Sequence, residues 1–590
     1  AGVVAAVAGW AWHDVSGARA KIAAARATLE ATVGNPDSLR TPAGRAAALR
    51  RVDDASSLIK DAETGLQNSV PLTITRILPG FATQRVGLVQ LAADSFGGAQ
   101  AGRRLLLAVD ALATSTSLHD GVVPLDRLAQ LEAPVRRAGQ DLARLNRSAS
   151  GLWGPLGDAR RQFDATAVRS SNSLLHAADV VHVAPAFLGS GGVRHCFVAL
   201  ENNAEMRDGG AVLSYATATF SRGKLSFEST ASVLDIPLSH PAPTPIPLGT
   251  RALFGGLGPT QLWQSVNATA DFSWTGRAMA DMYAAARGPR PDAVLALDVP
   301  AVAALLRVVG PVSVEGITQP VSADSVSQVL LHDQYLGVPA NASGGGEVQA
   351  IRKERLAQLF GAVTTRLTNG SPDAITLGTE LARASAGGHL RAWSNRPDEE
   401  AAFERAGLGG GPAVSEADRT FHVAVENGGA NKLDYYVRPS IHQTVTVTAS
   451  GSAVVATTVT VTNTAPSGPP SYQLGPDGVT TNKAGDYLAW VVVWGPAGST
   501  QQEGGPESGL VASLHVVSVP AGKRINVLFE TVIAHAVRRG ELILRFVPQA
   551  RLDTPDLTVS VRASGWRVRG GAVRRVVLDR TQRLTWSMTR

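Results

Sequence analysis

Apolar residues recur three and four positions apart over the first third of the chain. Ile22, Ala25 and Leu29 show this spacing, which places their side chains on one face of a helix. Glycine and proline interrupt the pattern at residues 34–36, 79–80, 97–98, 121–124 and 151–155. Helices separated by such short breaks pack as antiparallel neighbours. We therefore predict a helical stalk or bundle over residues 13–187.

Between residues 188 and 412, strand-like runs alternate with helical ones. Branched and aromatic residues at 195–200 and 211–220 predict two opening strands. Later runs predict a helix at 275–287, a buried strand at 293–297, a helix at 300–308 and an amphipathic helix at 346–368. This alternation is typical of a layered α/β domain with a central mixed sheet.

From residue 413 to residue 590 the apolar positions follow a period of two, which indicates strands. Clear runs lie at residues 444–448, 454–462, 510–519, 524–533 and 557–561. We predict an antiparallel β-sandwich here. The chain as a whole is thus expected to be a multidomain α+β protein with a helical bundle, an α/β core and a C-terminal sandwich. The arginine-rich segment 567–583 is expected either to contact an acidic glycopolymer or, more simply, to be an exposed edge.

The first twelve residues are uncharged, small or apolar, and they include Trp10 and Trp12. A full membrane span needs about 20 such residues, and tryptophan favours the headgroup level. We interpret residues 1–12 as the outer end of a membrane helix in a single-pass protein whose main body is extracytoplasmic. The alternative is the start of a buried hydrophobic helix.

Composition narrows the class of protein. The 590 residues exceed one hydrophobic core, and 44% apolar with 18% charged residues indicates a folded chain. A net charge of +6 is mild for this length, but the pI near 9.6 suits an anionic envelope or lipid surface. The dispersed basic residues and the missing recognition motifs argue against nucleic acid. The single cysteine, Cys196, excludes an intrachain disulfide, and we expect a buried, inert thiol.

No nucleophile elbow, Walker loop or dinucleotide fingerprint is present, which excludes the usual hydrolases, ATPases and dehydrogenases.

Residues 200–215 carry a cluster of amide and charged side chains between the two opening strands. The cluster consists of Glu201, Asn202, Asn203, Glu205, Arg207 and Asp208. Gly209 and Gly210 follow it and permit a tight turn. Polar residues on a turn at a strand end are where α/β folds usually place their chemistry. The alternative is an asparagine-rich turn whose amides satisfy their own backbone.

Four segments, in order along the chain, resemble the domain-of-unknown-function 4012 family. They are the Asn-Asn-x-Glu-x-Arg-x-Gly-Gly stretch from Asn202, the Asn-x-x-x-Asp-Phe stretch from Asn267, the segment from Asp292 to the Gly-Pro-Val at 310–312, and the Asn-Lys-x-Asp-Tyr-Tyr stretch from Asn431. Where the family commonly has proline before its Asp-Phe pair, this chain has Ala270. The resemblance implies a membrane-anchored envelope protein.

A second resemblance, to the LytR-CpsA-Psr family, is carried by the segment 290–312 and the arginine-rich helix 351–360. Its motifs do not align residue by residue. It implies transfer of a glycopolymer from a polyprenyl-pyrophosphate carrier, with arginines on the pyrophosphate and a carboxylate-bound Mg²⁺. Guanidinium groups grip phosphate oxygens, and Mg²⁺ prefers carboxylates with phosphate.

The resemblance suggests a set of site residues. Arg207, Asp271 and Arg277 are the catalytic candidates, and Asp208 and Asp271 are the candidates for the metal. Asn202, Asn203, Glu205, Arg352 and Arg355 are the candidates for substrate binding, with the first three shaping the turn. Alternatively, Arg352 and Arg355 are a solvent-facing pair on one helix face, and Asp271 is a helix N-cap.

Two functions remain open from the sequence. The first is attachment or processing of envelope polysaccharide by a phosphotransferase acting on a polyprenyl-phosphate lipid. The second is a non-catalytic scaffold or adhesion protein that binds glycans or envelope protein partners. A basic cavity with an inward carboxylate favours the enzyme, whereas arginines that face solvent or pair with structural acids favour the scaffold.

Overall fold

The computed structural model describes residues 16–29, 36–69, 81–115, 120–145, 151–340, 347–411, 414–476, 482–497 and 504–590, with residues 31 and 73. The described residues fall into two compact units. The first lies within residues 1–118 and 123–186 and includes residues 373–376, and the second lies within residues 119–122, 187–372 and 377–590.

The first unit is helical, as the apolar spacing predicts. Its helices are α1 (residues 16–29), α2 (Pro42–Asn68), α3 (Phe81–Ser115), α4 (Leu125–Gln130), α5 (Glu132–Leu145) and α6 (Gly154–Phe187). Small alanines let α1, α2 and α3 approach closely around Ile59 and Leu66. A buried ion pair joins Arg160 to Asp94 at 2.6 Å between α6 and α3.

The second unit begins with a mixed sheet. Its strands are β1 (Arg194–Met206), β2 (Gly210–Ser221), β3 (Lys224–Phe227), β4 (Ala231–Ser232), β5 (Ala293–Leu297) and β6 (Leu390–Ser394). The order is β3-β2-β1-β5-β6, with β4 beside β2. β1 and β5 are parallel and the other pairs are antiparallel. The central mixed sheet is therefore confirmed.

Helices cover both faces of this sheet. They are α7 (Leu248–Phe254), α8 (Phe272–Ala286), α9 (Val299–Val309), α10 (Val326–Leu331), α11 (Glu347–Asn369), α12 (Ala374–Ala386) and α13 (Pro397–Ala406). One core packs Val198 and Leu200 of β1 against α9, α10 and α11. The other packs Phe197 and Ala199 against α8. Alternate residues of β1 thus point to opposite faces of the sheet and pack in two different cores. This is the layered α/β arrangement.

Cys196 lies in the first of these cores. The side chain is buried, and burial raises the pKa of its thiol to about 12. The expectation of a buried thiol is confirmed.

The C-terminal strands form two facing sheets. They are β7 (Thr420–Asn427), β8 (Val437–Val447), β9 (Ala453–Asn463), β10 (Tyr487–Pro496), β11 (Pro506–Glu507), β12 (Leu510–Val519), β13 (Arg524–Ile533), β14 (Val537–Arg538), β15 (Glu541–Val547), β16 (Asp556–Ala563), β17 (Arg567–Arg569), β18 (Val573–Val577) and β19 (Gln582–Thr589). One sheet has the order β11-β12-β10-β7-β15-β19-β17, with β14 beside β15, and the other has β13-β9-β8-β16-β18. Their inner faces share one core of mostly valine, leucine and aromatic side chains.

The sandwich is not purely antiparallel. β15 runs parallel to β7, and β16 runs parallel to β8. Alternation of apolar residues specifies which face of a strand is buried but not the direction of its neighbour. The prediction of a sandwich therefore holds, whereas the fully antiparallel pairing does not.

The sheet that contains β7 is covered on both faces. Phe421, Val423 and Val425 point into the sandwich core, whereas Ala424 packs with Trp494 against residues that include Phe254 of α7. Every residue of β7 is consequently buried. This second face is where the sandwich meets the α/β part of the same unit.

Within the described part of the chain, every helix falls short of the length and apolarity that crossing a bilayer demands. Residues 1–12, where the sequence predicts the end of a membrane helix, lie outside the described residues.

Candidate functional site

Residues 202–206, which include the polar Asn202, Asn203 and Glu205, continue strand β1 instead of forming a turn. The turn itself spans residues 207–209, where the backbone N–H of Arg207 donates to the carbonyl of Gly209 at 2.6 Å. The β1–β2 register shifts between Asn202 and Met206. Buried polar side chains are tolerated when they have hydrogen-bond partners, and here both the helices and the sandwich supply them.

The two adjacent asparagines point to different partners. Asn202 donates to the Tyr335 hydroxyl at 2.7 Å. Asn203 is enclosed: it donates to Asp298 at 2.9 Å and to the carbonyl of Ala550 at 3.1 Å, and it accepts from the N–H of Val299 at 3.0 Å. Asn203 thus joins β1, the start of α9 and the segment after β15, while Asn202 faces a cavity.

Glu205 and Arg207 lie in a small charged cluster. The Lys432 ammonium donates to Glu205, and an Arg207 guanidinium nitrogen lies 3.8 Å from the same carboxylate. Burial opposes the charge on Lys432, but Glu205, Tyr472 and Tyr335 together outweigh burial, and the pKa of the ammonium is raised. Arg207 also donates to the carbonyl of Asn427 at 2.8 Å. Arg207 is therefore engaged with protein atoms of the sandwich as well as with Glu205.

Arg391 holds together the carboxylates at the start and the end of the polar segment. It donates to Glu201 at 3.0 Å and to Asp208 at 3.1 Å, and all three side chains are buried. Burial raises the pKa of Glu201, and the Arg391 charge opposes that shift. Asp208 also shares a hydrogen bond of 2.5 Å with Nε2 of His422 on β7. Asp208 therefore lies in a network that links the α/β sheet to the sandwich.

Two glycines are required by close approach at this point. A Cβ on Gly209 would lie 2.0 Å from the guanidinium of Arg391, and one on Gly210 would lie 2.5 Å from the backbone of Asn202. No side chain fits such distances without displacement of its neighbour. Glycine at both positions of the motif therefore allows the turn to pack closely against Arg391 and the backbone of Asn202.

Asp434 forms a second buried centre nearby. It accepts from the Tyr487 hydroxyl at 2.8 Å, Arg551 at 3.0 Å, the Met206 N–H at 3.0 Å and Asn427 at 2.9 Å. Burial raises its pKa, and the Arg551 charge opposes the shift.

Glu426, on β7 beside this centre, is fully buried, and neither carboxyl oxygen bonds to a described residue. Burial raises its pKa well above the usual value. Burial therefore favours the protonated form of this carboxyl.

Asp271 is the N-cap of α8. It accepts from the N–H groups of Ser273 at 3.0 Å and Trp274 at 3.2 Å, and from the Ser508 hydroxyl at 2.5 Å. The alternative interpretation of Asp271 as a helix cap thus matches the structure. Arg277 is exposed on the same helix and lines neither of the two cavities described below.

The two arginines of α11 separate. Arg352 lies over the Tyr335 ring at 4.4 Å and the Tyr472 ring at 5.1 Å. Arg355 donates to the carbonyl of Gly316 at 3.2 Å and lines a different, smaller cavity of about 240 Å³. Arg352 and Arg355 therefore do not converge on one ligand position.

The larger cavity, of about 430 Å³, lies between the mixed sheet, α9, α11 and the start of the sandwich. Its walls are mainly apolar: Leu200, Leu213, Leu297, Val299, Val302, Leu305, Leu330, Leu356, Leu359, Phe360 and Val363. Its polar members are Glu201, Asn202, Glu205, Ser214, Ser232, Gln264, Asp298, Gln334, Arg352, Lys353, Lys432 and Tyr472. The volume is in the range of sites for small organic ligands.

The carboxylates that line the cavity have cationic or histidine partners. Glu201 pairs with Arg391 and Glu205 with Lys432. Asp298 lies 2.6 Å from Nδ1 of His389. Arg352 and Lys353 add positive charge to this lining. The cavity therefore combines a long apolar surface with a cationic region.

Of the predicted site residues, the structure brings Asn202, Glu205 and Arg352 to this cavity, with Arg207 directly behind Glu205. Asn203, Asp208, Asp271, Arg277 and Arg355 lie elsewhere. No three His, Cys, Asp or Glu side chains among the described residues are placed to hold a metal ion. The carboxylates of Asp208 and Asp271 are each hydrogen-bonded to protein groups. They therefore do not provide the set of oxygen ligands that the predicted Mg²⁺ needs.

Sequence reasoning missed Arg391, Lys432, Tyr335 and Tyr472. Lys432 lies inside the Asn-Lys-x-Asp-Tyr-Tyr stretch, so that motif already contained a signal. Arg391 stands alone in the otherwise uncharged strand β6, and an unpaired charge in a buried strand implies a buried partner. For the two tyrosines the sequence carries no signal.

Comparison with curated proteins and with solved structures gives no significant match. A family model does match, over the segment that contains β1, the turn and helices α7 to α10. Residues 191–335 are similar to the family described as "Protein of unknown function (DUF4012)", which confirms for this segment the resemblance carried by its asparagine, arginine and glycine motif.

Proposed function

We propose that this is a cell-envelope protein that binds a polyprenyl-phosphate-type lipid in the 430 Å³ cavity. The observation that carries the proposal is the composition of that cavity, in which a mostly apolar wall adjoins Arg352, Lys353 and Lys432. An isoprenoid chain would bury against the apolar wall. A phosphate or pyrophosphate would meet the cations, for which charge-assisted hydrogen bonds are favourable.

The aromatic rings beside the cations support a fixed headgroup position. Arg352 and Lys432 both lie over the Tyr472 ring, at 5.1 and 5.7 Å from its centroid. Cation–π contacts restrict both cations. Tyr335 adds a hydroxyl held by Asn202 at 2.7 Å. Two cations from different elements therefore reach the cavity on a common aromatic support.

The finer proposal is that the protein transfers a lipid-linked polysaccharide, as the resemblance to the LytR-CpsA-Psr family implies. Glu205 is a carboxylate beside the proposed headgroup position, because it contacts Lys432 and lines the cavity. The proposal places the protein on the extracytoplasmic side of the cell membrane, where such lipids carry their polymers.

A specific observation favours the alternative of a non-catalytic scaffold. The most distinctive polar residues, Asn203, Arg207 and Asp208, hold the α/β part and the sandwich together through Ala550, Asn427 and His422. A motif used in this way stabilises a rigid junction. Such a junction suits a protein that presents a ligand or a partner without transforming it.

The test is direct binding of geranylgeranyl pyrophosphate, compared with geranylgeraniol, to the purified chain in mild detergent. We expect saturable binding of the pyrophosphate and markedly weaker binding of the alcohol. Val302→Trp fills the cavity and should abolish binding, whereas Val516→Trp, at an exposed position of β12, should not. Lys353→Glu should weaken binding, whereas Lys523→Glu, on an exposed turn, should not.

Equal binding of both lipids, or binding by Val302→Trp, would contradict the proposal. Binding without turnover of a polyprenyl-pyrophosphate-linked glycan in the presence of an acceptor would leave the scaffold alternative.

A further inference from the structure

Strand β18 is an edge of the second sandwich sheet. It pairs with β16 on one side, with Asp556 opposite Val577 and Ser560 opposite Val573. The bonds Val561 N–H to Ala572 and Leu578 N–H to Pro555 extend this ladder at both ends.

Backbone N–H and C=O groups alternate in direction along a strand of an antiparallel pair. Since Ala572 bonds to β16 and Leu578 to the residue before it, Arg574 and Val576 also direct their N–H and C=O groups toward β16. Val573, Arg575 and Val577 therefore direct their N–H and C=O groups away from the sheet.

The same three residues expose their side chains. Val573 is 43% exposed and Val577 is 50% exposed, and Arg575 between them is also exposed. Arg574 instead turns inward over the Trp586 ring at 5.6 Å. One face of this edge thus presents an apolar, a cationic and again an apolar side chain.

Several backbone groups on the open edge of β18 have no hydrogen-bond partner among the described residues. The carbonyls of Val573 and Val577 accept from the side chains of Arg574 and Gln582 at 3.2 and 3.3 Å. No described residue bonds to the N–H groups of Val573, Arg575 and Val577 or to the carbonyl of Arg575. Unpaired strand edges of this kind are templates for an added strand.

Among the described residues, Arg575 has no acidic partner. It forms no ion pair with any described residue. Asp556, on the same face of β16, is opposite Val577 and not opposite Arg575, whose cross-strand neighbour is Thr558. A carboxylate supplied from outside therefore has an unoccupied guanidinium to bind.

We propose that β18 docks an extended segment of a partner protein by strand addition. The partner places an acidic side chain opposite Arg575 and apolar side chains opposite Val573 and Val577. Side chains two positions apart lie on one face of a strand, so the partner carries the pattern apolar-x-acidic-x-apolar. Main-chain bonds supply affinity, and the ion pair with Arg575 sets the register.

Two other occupants fit less well. A second copy of β18, centred on Arg575 and antiparallel, would place two arginines opposite each other, which is unfavourable. An acidic polysaccharide would use the guanidinium but neither the valines nor the free N–H groups.

The proposal is tested with the full chain and a fluorescent peptide that contains Val-Thr-Asp-Thr-Val. We expect saturable binding by fluorescence anisotropy. Replacing the central aspartate with lysine should weaken binding at least about tenfold, as like charges meet. N-methylation of the peptide amides that face β18 should abolish it, because the main-chain bonds are lost.

Matched variants separate this site from general charge effects. Arg575→Glu should weaken binding of the aspartate peptide about tenfold and restore that of the lysine peptide. Arg524→Glu, an exposed arginine at the opposite edge strand β13, should change neither. Val577→Pro removes an outward N–H without loss of a ladder bond, so it should weaken binding while the fold is kept.

The proposal would be overturned by absence of binding of the aspartate peptide, by equal binding of the N-methylated peptide, or by equal loss of affinity in Arg524→Glu and Arg575→Glu. A dimer in sedimentation equilibrium that Arg575→Glu disrupts would also overturn it, because the edge would then be covered by a second copy. Binding of an acidic polysaccharide in competition with the peptide, with no effect of N-methylation, would show simple charge attraction.

Discussion

Asp208 and Arg391 are 183 positions apart in the chain and form a buried ion pair at 3.1 Å. Asp208 ends the polar segment after β1, and Arg391 stands in β6 at the far edge of the mixed sheet. The pair extends to His422 of the sandwich through Asp208 and to Glu201 through Arg391. The polar motif is thus first of all the means by which the α/β part and the sandwich are fixed to each other.

Replacing Arg391 with methionine should destabilise the second unit strongly. Glu201 and Asp208 would remain buried without their cation, which costs about 3–5 kcal/mol when one partner of a buried pair is removed. Chemical denaturation followed by tryptophan fluorescence measures the change. Arg396→Met, which removes a half-exposed partner of Glu399, should cost less than about 1 kcal/mol. Equal effects of the two substitutions would show that the buried network contributes little.

Gly210→Ala should also destabilise the junction. The new methyl group would lie within 2.7 Å of several backbone atoms of Asn202, so the turn must move, at a cost of about 1–3 kcal/mol. Gly191→Ala is the matched control, because a Cβ there meets no atom within 4 Å and should change stability by less than about 0.5 kcal/mol. Comparison of the denaturation midpoints of the two variants with that of the parent chain tests this prediction. A tolerated Gly210→Ala would mean that the turn is not closely packed.

Local patterns predicted much of the fold because each strand or helix is specified mainly by its own residues. The strand at 293–297 and the strands at 510–519 and 524–533 have the bounds that their apolar runs indicated. β1 is longer than predicted because its polar residues find partners on other elements, which a local pattern does not show. β7 lacks alternation because both faces of its sheet are covered.

The candidate site was harder to predict than the fold. Glu205 and Arg352 do reach one cavity, but Asp271 and Arg277 do not, because the loop and helix that carry them face other neighbours. Residue type showed that these side chains could bind a phosphate or a metal ion. Whether they meet at one cavity depends on packing between distant segments of the chain. Lys432 reaches Glu205 across 227 residues, a pairing that no spacing in the sequence encodes.

Substitutions at Asp271 distinguish a helix cap from a metal ligand. Asp271→Ala should cost about 0.5–2 kcal/mol, since α8 loses its N-cap, whereas Asp271→Asn retains an acceptor and should cost far less. Chemical denaturation gives both values. Titration with Mg²⁺ supplies the contrast: a metal role requires that Asp271→Asn lowers Mg²⁺ affinity even though the cap is kept. Unchanged affinity supports the structural role alone.

Stability should fall as the pH rises through neutrality because of Glu400 on α13. Burial raises the pKa of this carboxyl from 4.5 to about 7, and Glu404 and Asp271 add to the shift, while the Ser394 N–H and Arg277 oppose it. A pKa that is higher in the folded state means that folding favours the protonated form, so the stabilisation is complete below about pH 4.5 and is lost as the pH passes 7. Other buried carboxyls with raised pKa, such as Glu201, change stability in the same direction, so the comparison of the parent with Glu400→Gln isolates this group. Denaturation midpoints between pH 5 and pH 8 should decline less steeply in Glu400→Gln than in the parent chain. Identical slopes would show that Glu400 titrates as an ordinary surface carboxyl.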